Sequence, residues 1–213
     1  MSLQQPDTSK SNESSSIASS NTSSDDAIKE RPFTAETRFA AGQLAESQNN
    51  PNQAVIQYNE ALKLKPDYLA ALYRLGVVYA ELKEYPQATE IWGRYIGATG
   101  EAATAFGDLG FCEELAGDAP KAEAAYKKGI EKDPKNVTCR VNYGLMLARA
   151  GKIDAATEQW RFVLSEAEIH YNLGGLYAQQ GHKDQARAEF SKALELDPKL
   201  TDAQSRLTTL DQN

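Results

Sequence analysis

The sequence predicts an all-α fold, a right-handed α-solenoid of five helix–turn–helix units that is closed by a C-terminal capping helix. Three residue types recur in register along the chain and carry this prediction. A glycine recurs at intervals of 34, 34, 34 and 30 residues, at Gly42, Gly76, Gly110, Gly144 and Gly174. An alanine recurs at the same intervals, at Ala54, Ala88, Ala122, Ala156 and Ala186. An aromatic residue follows each alanine by four positions, at Tyr58, Trp92, Tyr126, Trp160 and Phe190.

This pattern resembles the tetratricopeptide repeat (TPR) family, whose unit is a 34-residue helix–turn–helix. The resemblance covers residues 35–200, and Pro66, Pro134 and Pro198 close three of the units. It implies a TPR solenoid over residues 33–213, with a cap at 201–211. The implied units are residues 35–68, 69–102, 103–136, 137–166 and 167–200. Because one unit cannot bury its own apolar face, the units are expected to stack.

The spacing within a unit supports two helices that pack closely. In the second unit, apolar residues fall at helical spacing, at Leu72, Leu75, Val78, Tyr79 and Leu82. The recurring glycine has no side chain, so it allows the second helix to approach the first. The recurring aromatic lies one turn from the alanine on the same helix face, where it can fill the space between neighbouring units.

Glycine and proline mark the turns between these helices. Gly117, Gly151 and Gly181 fall just past a first helix, where a left-handed cap is expected. Pro86 and Pro120 fall in the first turn of a second helix, where a missing N–H costs little.

Two units depart from the pattern. Tyr95 stands where the family usually has a small residue, and Gly100 replaces the closing proline. We therefore expect the second helix of unit two to end loosely, and the pattern leaves its packing on unit three open. Unit four is four residues short, so its second helix is expected to end near Leu164. Ser165 and Glu168 would then form a capping box for the next helix.

The two ends of the chain differ sharply in composition. Residues 201–211 predict a last helix capped by Thr201, in which Leu207 and Leu210 cover unit five and polar residues face water. Residues 1–32 include the run SNESSSIASSNTSSDD, which offers almost nothing to bury. Such a segment is predicted to be a disordered Ser/Asn-rich tether.

Charge and composition exclude several classes of function. The net charge of −7 argues against binding to nucleic acid or to an anionic membrane surface. No apolar stretch approaches the roughly 18–20 residues that span a bilayer, so no direct membrane insertion is expected. The first residues lack the layout of a signal peptide. A soluble, cytoplasmic protein is the default, and export or tethering at the envelope is the alternative if a signal was removed.

No pattern in the sequence predicts catalysis, a metal site or a cofactor. Cys112 and Cys139 are expected to be small core residues, because two cysteines imply no disulfide framework. His170 falls where the family packs a side chain, and His182 falls in a turn. Metalloprotease, nucleophile-elbow, C-x-x-C and P-loop motifs are all absent from the sequence. We predict a non-enzymatic protein without catalytic residues.

The resemblance to TPR proteins implies a scaffold whose concave groove is lined by first helices. Positions two, five, six, nine and twelve of each unit fall largely on one helical stripe. They form a semi-apolar, aromatic surface with a few amides and one opposed pair, Arg74 and Asp108. The predicted groove residues are Phe39, Gln43, Tyr73, Arg74, Val77, Asp108, Phe111, Val141, Asn142, Leu145, Tyr171 and Asn172. Other parts of the chain could instead cover some of them.

The predicted partner is a protein, contacted through a peptide or helix that lies in the groove. The cationic clamp with which some TPR proteins hold chaperone tails has no counterpart, so that class is rejected. Asn142 and Asn172 repeat at the sixth position and resemble an asparagine ladder that would hold a peptide backbone. Two alternatives stay open: self-association as a homo-oligomer, and an accessory role in bacterial envelope, secretion or pilus assembly.

Overall fold

The structure is a computed structural model that describes residues 33–212, so the predicted tether at residues 1–32 lies outside the described residues. Residues 33–212 form eleven helices and no strand. The first helices of the five units are α1 (Ala35–Ser47), α3 (Leu69–Glu81), α5 (Ala103–Leu115), α7 (Val137–Arg149) and α9 (Glu166–Gln179). The second helices are α2 (Pro51–Leu64), α4 (Tyr85–Ala98), α6 (Ala119–Lys132), α8 (Ile153–Arg161) and α10 (Lys183–Leu196). The last helix is α11 (Thr201–Gln212).

Packing follows the chain order. Each first helix packs on the second helix of its own unit, and each second helix packs on the next first helix. Helix α11 packs on α10 in the same way. The prediction of an all-α solenoid of repeats is therefore confirmed.

One contact recurs in every unit and joins the glycine of the first helix to the aromatic ring of the second. A methyl group built on each glycine would lie no more than 2.8 Å from that ring. The pairs are Gly42–Tyr58, Gly76–Trp92, Gly110–Tyr126, Gly144–Trp160 and Gly174–Phe190. Only glycine permits this approach, because every other residue would place its Cβ against the ring at less than contact distance.

The aromatic rings also reach the next unit, as the sequence predicts. Tyr58 clusters with Leu72 and Leu75 of unit two, and Tyr126 clusters with Tyr143 of unit four. The five recurring alanines are fully buried, Ala122 among them, which confirms the register of the repeat.

A second position of the first helix, four residues after the recurring glycine, varies with the type of ring in the same unit. The Tyr126 hydroxyl donates to Oε2 of Glu114 at 3.3 Å, and Glu46 occupies the equivalent place beside Tyr58. Burial and the neighbouring carboxylate raise the pKa of both tyrosines. Where the ring is Trp or Phe, the same position holds an alanine: Ala80, Ala148 and Ala178.

Another pair of positions lies one turn before the glycine on the first helix and one residue before the aromatic ring on the second helix. In units one, four and five this pair is polar: Arg38–Gln57 (3.1 Å), Arg140–Gln159 (2.7 Å) and His170–Glu189 (2.6 Å). In units two and three the same positions hold buried apolar residues: Leu72 and Ile91, which share one cluster, and Phe106 and Ala125. His170 therefore contacts its own unit through a half-buried hydrogen bond, as the expected packing position suggests.

All five units turn through a residue with positive φ after the first helix. The predicted caps Gly117, Gly151 and Gly181 have φ of 83°, 77° and 79°. Units one and two use Asn49 and Lys83 at this position, with φ of 56° and 61°. The left-handed conformation costs a lysine roughly 1–2 kcal/mol, so the turn geometry is imposed there by the packing of both helices.

The expectation of a loose end in unit two is wrong. Helix α4 has 14 residues, the same length as α2, α6 and α10. The chain leaves it through Gly100 and Glu101, both with positive φ, and the Glu101 N–H donates to the carbonyl of Ile96 at 2.9 Å. Tyr95 packs edge-on against Trp92 and joins the cluster that Ile96 forms with unit three. These contacts replace the missing small residue and proline.

In unit four the second helix ends at Arg161, three residues before the expected end at Leu164. The N–H groups of Val163 and Leu164 both donate to the carbonyl of Trp160, so the chain turns directly towards α9. The predicted capping box of Ser165 and Glu168 is confirmed, with both reciprocal hydrogen bonds present.

The start of the last helix also differs by one residue. Thr201 is the first helical residue rather than its cap, since the carbonyl of Leu200 accepts the Gln204 N–H at 3.3 Å. Leu207 and Leu210 pack on the buried cluster around Phe190, which confirms that α11 covers unit five.

The glycine–aromatic contact gives a first prediction. In Gly144→Ala the new Cβ would collide with Nε1 of Trp160, which itself donates to the Val141 carbonyl. Overpacking of this kind costs about 1–3 kcal/mol, so a thermal melt should shift down by about 3–10 °C. Gly93→Ala on α4 is the matched control, because no atom lies within 4 Å of its Cβ. Equal melting temperatures for both variants would contradict the proposed role of the contact.

Candidate functional site

A cleft between α3 and α5 brings together part of the predicted groove. This α3–α5 cleft has a volume of about 340 Å³. It is lined by Tyr73, Val77, Ala80, Glu81, Trp92, Asp108, Phe111, Cys112 and Leu115. Four of these residues, Tyr73, Val77, Asp108 and Phe111, are among those that the sequence predicts.

Exposed apolar side chains form the mouth of the α3–α5 cleft. Tyr73, Phe111 and Leu115 are 38%, 46% and 44% exposed. The Tyr73 ring packs edge-on against Trp92 at 5.4 Å and Tyr95 at 5.7 Å between ring centroids. These contacts fix the orientation of the Tyr73 ring, and the result is a preformed apolar surface of the kind that binds other molecules.

Asp108 is the half-buried carboxylate of the α3–α5 cleft. Burial raises its pKa to about 6, because an apolar surrounding disfavours the charged form. The predicted pair with Arg74 does not form. Arg74 donates instead to the Glu46 carboxylate, with Nε at 3.3 Å from Oε1 and Nη2 on Oε2. Glu46 lies at the end of α1, where it faces α3 and already neutralises Arg74.

A second cleft lies where α7, α9 and α11 meet. This α7–α9–α11 cleft has a volume of about 170 Å³. Its lining is Leu145, Arg149, Tyr171, Asn172, Gly175, Leu176, Gln179 and Arg206. Leu145, Tyr171 and Asn172 are predicted groove residues, and the Tyr171 ring packs 5.8 Å from that of Phe190.

The remaining predicted groove residues line neither cleft. Phe39 packs inside unit one, with its ring 5.5 Å from Tyr58 and 5.3 Å from Tyr68. Gln43 is exposed on α1. Val141 is half-buried against the core of units three to five, and its carbonyl accepts from Trp160.

Of the two asparagines in the predicted ladder, only one lines either of the two clefts. Asn172 lines the α7–α9–α11 cleft, whereas Asn142 is half-buried on α7 and lines neither of the two clefts. A role for both amides in holding one peptide backbone stays a prediction.

Two lining residues that the sequence prediction missed differ in how they could have been found. Leu115 lies four residues after Phe111, so helical spacing alone places it on the same stripe. Arg206 comes from the capping helix, outside the repeat, and no repeat position points to it.

The residues considered for catalysis take ordinary structural places. Cys112 and Cys139 are buried as predicted, and burial raises the pKa of both thiols. His182 is exposed in its turn. Between residues 33 and 210, no group of three His, Cys, Asp or Glu side chains lies close enough to hold a metal ion. Within the described chain, no helix has both the length and the apolar character needed to cross a bilayer.

The fold and the first-helix clefts define a repeat protein of the TPR class. Tetratricopeptide repeats match this chain at residues 36–91, 113–160 and 167–200. The chain therefore belongs to the tetratricopeptide repeat family. Proteins of this family generally act as non-enzymatic scaffolds that bind proteins or peptides.

This chain is similar to a curated relative by sequence and to solved structures by fold. The general transcriptional corepressor trfA of Dictyostelium discoideum is 27% identical over 125 residues, 58% of this chain. The matched part is only 9% of that relative's length. The thermophilic TPR protein TTC0263 of Thermus thermophilus superposes with a TM-score of 0.60 at 22% identity, covering 84% of this chain and all of that one. YrrB, described as a TPR protein with an unusual peptide-binding site, gives 0.52 at 24%, covering 80% and 90%.

The raised pKa of Asp108 gives a prediction for stability against pH. In the folded state Asp108 keeps its proton up to about pH 6, whereas in the unfolded chain it loses the proton near pH 4. The contribution of Asp108 to stability is therefore fully present below about pH 4 and is lost as pH rises through 6. At pH 7.5 the free energy of unfolding of Asp108→Asn should therefore exceed that of the parent by about 1 kcal/mol, after allowance for solvent screening at the cleft mouth, and its melting temperature should be higher. The gain should vanish near pH 4. Glu90→Gln, an exposed change on α4, is the control and should show no such dependence.

Proposed function

We propose that this chain is a non-enzymatic scaffold that holds an extended segment of a partner protein against the face formed by its first helices. The observation that carries the proposal is the α3–α5 cleft, where Tyr73, Phe111 and Leu115 are exposed around a supported aromatic wall. Interaction surfaces are enriched in aromatic anchors of this kind.

The size of the clefts favours an extended segment over a bound helix. Volumes of about 340 and 170 Å³ accommodate single side chains, whereas a docked helix needs a continuous groove. The α3–α5 cleft lies between two first helices, and the other is formed by first helices α7 and α9 together with α11, so one extended segment that used both would cross several units. The fold likeness to YrrB, a protein with a peptide-binding site, is consistent with this arrangement.

Site-specific photo-cross-linking tests which face makes contact. A benzophenone amino acid placed at Leu115 in the full chain should capture the partner from a lysate of the source cells. The same group at Glu90, on a second helix, should capture little. Stronger capture from Glu90 would show that the partner binds to the second helices instead.

Titration of the captured partner then tests individual residues. Tyr73→Ala should weaken binding by about 1–2 kcal/mol, or roughly 5- to 30-fold, because it removes an aromatic anchor. Asn142→Ala should cost about 1 kcal/mol, or roughly fivefold, if its amide holds the partner's backbone. Glu90→Ala should bind as the parent does. If both groove variants fold and bind with unchanged affinity, the partner does not use this face.

One observation favours self-association as the second candidate. Leu44 on α1 is 58% exposed, whereas the equivalent residues of later units cluster with the preceding unit. Val78, Cys112 and Leu176 are buried there, and Met146 is half-buried. Within residues 33–212 no unit precedes unit one, so Leu44 offers an apolar contact to a second copy of the chain. Light scattering should then show an oligomer that Leu44→Glu converts to monomer, whereas Leu64→Glu, at 55% exposure, leaves it intact. A monomer at every concentration would remove this candidate.

A role in envelope, secretion or pilus assembly, and tethering at the envelope, stay predictions from the sequence. The division into a tether and a solenoid is likewise a proposal, since residues 1–32 are outside the described part of the chain.

A further inference from the structure

The α3–α5 cleft contains two carboxylates and no cation among its lining residues. Asp108 and Glu81 both line it, and the other lining side chains are apolar, aromatic or the Cys112 thiol. Between residues 33 and 210, neither carboxylate makes an ion pair, and Arg74 is already engaged by Glu46. The cleft therefore presents uncompensated negative charge beside an apolar wall.

This arrangement costs the folded protein stability. A carboxylate that loses water without gaining a donor is disfavoured, and the pKa of Asp108 rises to about 6 for that reason. A cation brought by another molecule would supply the missing donor, and the apolar surrounding would strengthen the attraction. The Asp108 carboxylate is thus prepared for a positively charged ligand rather than for a contact within the solenoid.

We infer that the α3–α5 cleft receives an arginine side chain, flanked by an apolar residue, from an extended segment of the partner protein. The inference rests on the proposed function and specifies what the scaffold recognises. A planar guanidinium can donate to Asp108 while its face stacks on the rings of Tyr73 or Phe111. The flanking apolar side chain would pack against Leu115 and Val77 at the mouth.

Charge and size both support this occupant. The chain carries a net charge of −7 and has an isoelectric point near 5.0, so its field attracts basic segments and opposes acidic ones. The same field disfavours a second copy of this acidic chain as the ligand. A volume of about 340 Å³ lies at the small end of roughly 300–1,000 Å³ pockets and suits one or two side chains.

Selection from a random library tests the inference without a known partner. The probe is a phage-displayed library of random dodecapeptides, selected in parallel on the immobilised full chain and on its Asp108→Asn and Glu90→Gln variants. The full chain and Glu90→Gln should both enrich peptides with arginine next to an apolar or aromatic residue. Asp108→Asn should lose the arginine preference and keep the apolar one.

Affinity measurements on one selected peptide separate the charge contact from folding. By fluorescence anisotropy, replacing its arginine with citrulline should weaken binding to the parent about tenfold or more. The same replacement should have little effect on Asp108→Asn, since the two changes remove the same contact. The citrulline comparison uses the unaltered protein, so it holds even if a variant misfolds.

Each outcome decides between the two proposals. Peptides that depend on Tyr73 but show no arginine enrichment, or equal binding of the citrulline peptide, would overturn the arginine site and leave the groove intact. No enrichment on any version of the chain would overturn both proposals. A change of oligomeric state in Asp108→Asn without peptide selection would make a second copy the occupant and reject the inference.

Discussion

The solenoid depends on the contact between a glycine on the first helix and an aromatic ring on the second. A ring of this size can lie directly on a helix backbone only where no Cβ intervenes, and all five units satisfy that condition. The contact sets the distance between the two helices of a unit. That distance in turn lets each ring reach into the next unit, so one geometric constraint joins packing within a unit to packing between units.

Two further pairs show how the repeat tolerates variation without changing this geometry. Where the ring is a tyrosine, a carboxylate lies one turn along the first helix: Glu114 accepts from the Tyr126 hydroxyl, and Glu46 lies beside Tyr58. Units with Trp or Phe have alanine there instead. The pair at the other end of the helix is either polar on both sides or apolar on both. The two positions thus change together, since a buried polar atom without a partner is costly. The match is incomplete, because the Tyr58 hydroxyl and Trp92 Nε1 are buried without a hydrogen-bond partner among residues 33–210.

In the α3–α5 cleft, by contrast, a half-buried polar group has no matching partner among residues 33–210. On other first helices of the described chain, Arg74 and Arg149 pair with carboxylates of neighbouring units. Asp108 is half-buried and without an ion pair in residues 33–210, and it destabilises the fold at neutral pH. A local conflict of this kind in an otherwise consistent repeat is typical of a functional surface, where stability is exchanged for affinity. The binding proposal and the stability of the chain are therefore coupled through one carboxylate.

The number of units, their register and the buried side chains could all be assigned from the order of amino acids alone. Those properties follow from local periodicity, and Gly144 or Ala122 can be assigned without knowing what surrounds them. The sequence also supplied the left-handed turns at Gly117, Gly151 and Gly181, because glycine is the residue that such a turn favours.

Which surface residues meet depends on how the helices pack in three dimensions. Arg74 and Asp108 occupy the same position in successive units and invite pairing, yet Arg74 turns to Glu46 at the end of α1. Phe39 has the spacing of a groove residue, but its ring packs against the ring of Tyr68. Helix α8 ends at Arg161 rather than near Leu164, since the N–H groups that follow bond to the Trp160 carbonyl as the chain turns towards α9. Arg206 lines the second cleft only because α11 packs on unit five. Periodicity assigns a residue to a face of its helix, whereas the neighbour across that face comes from another part of the chain.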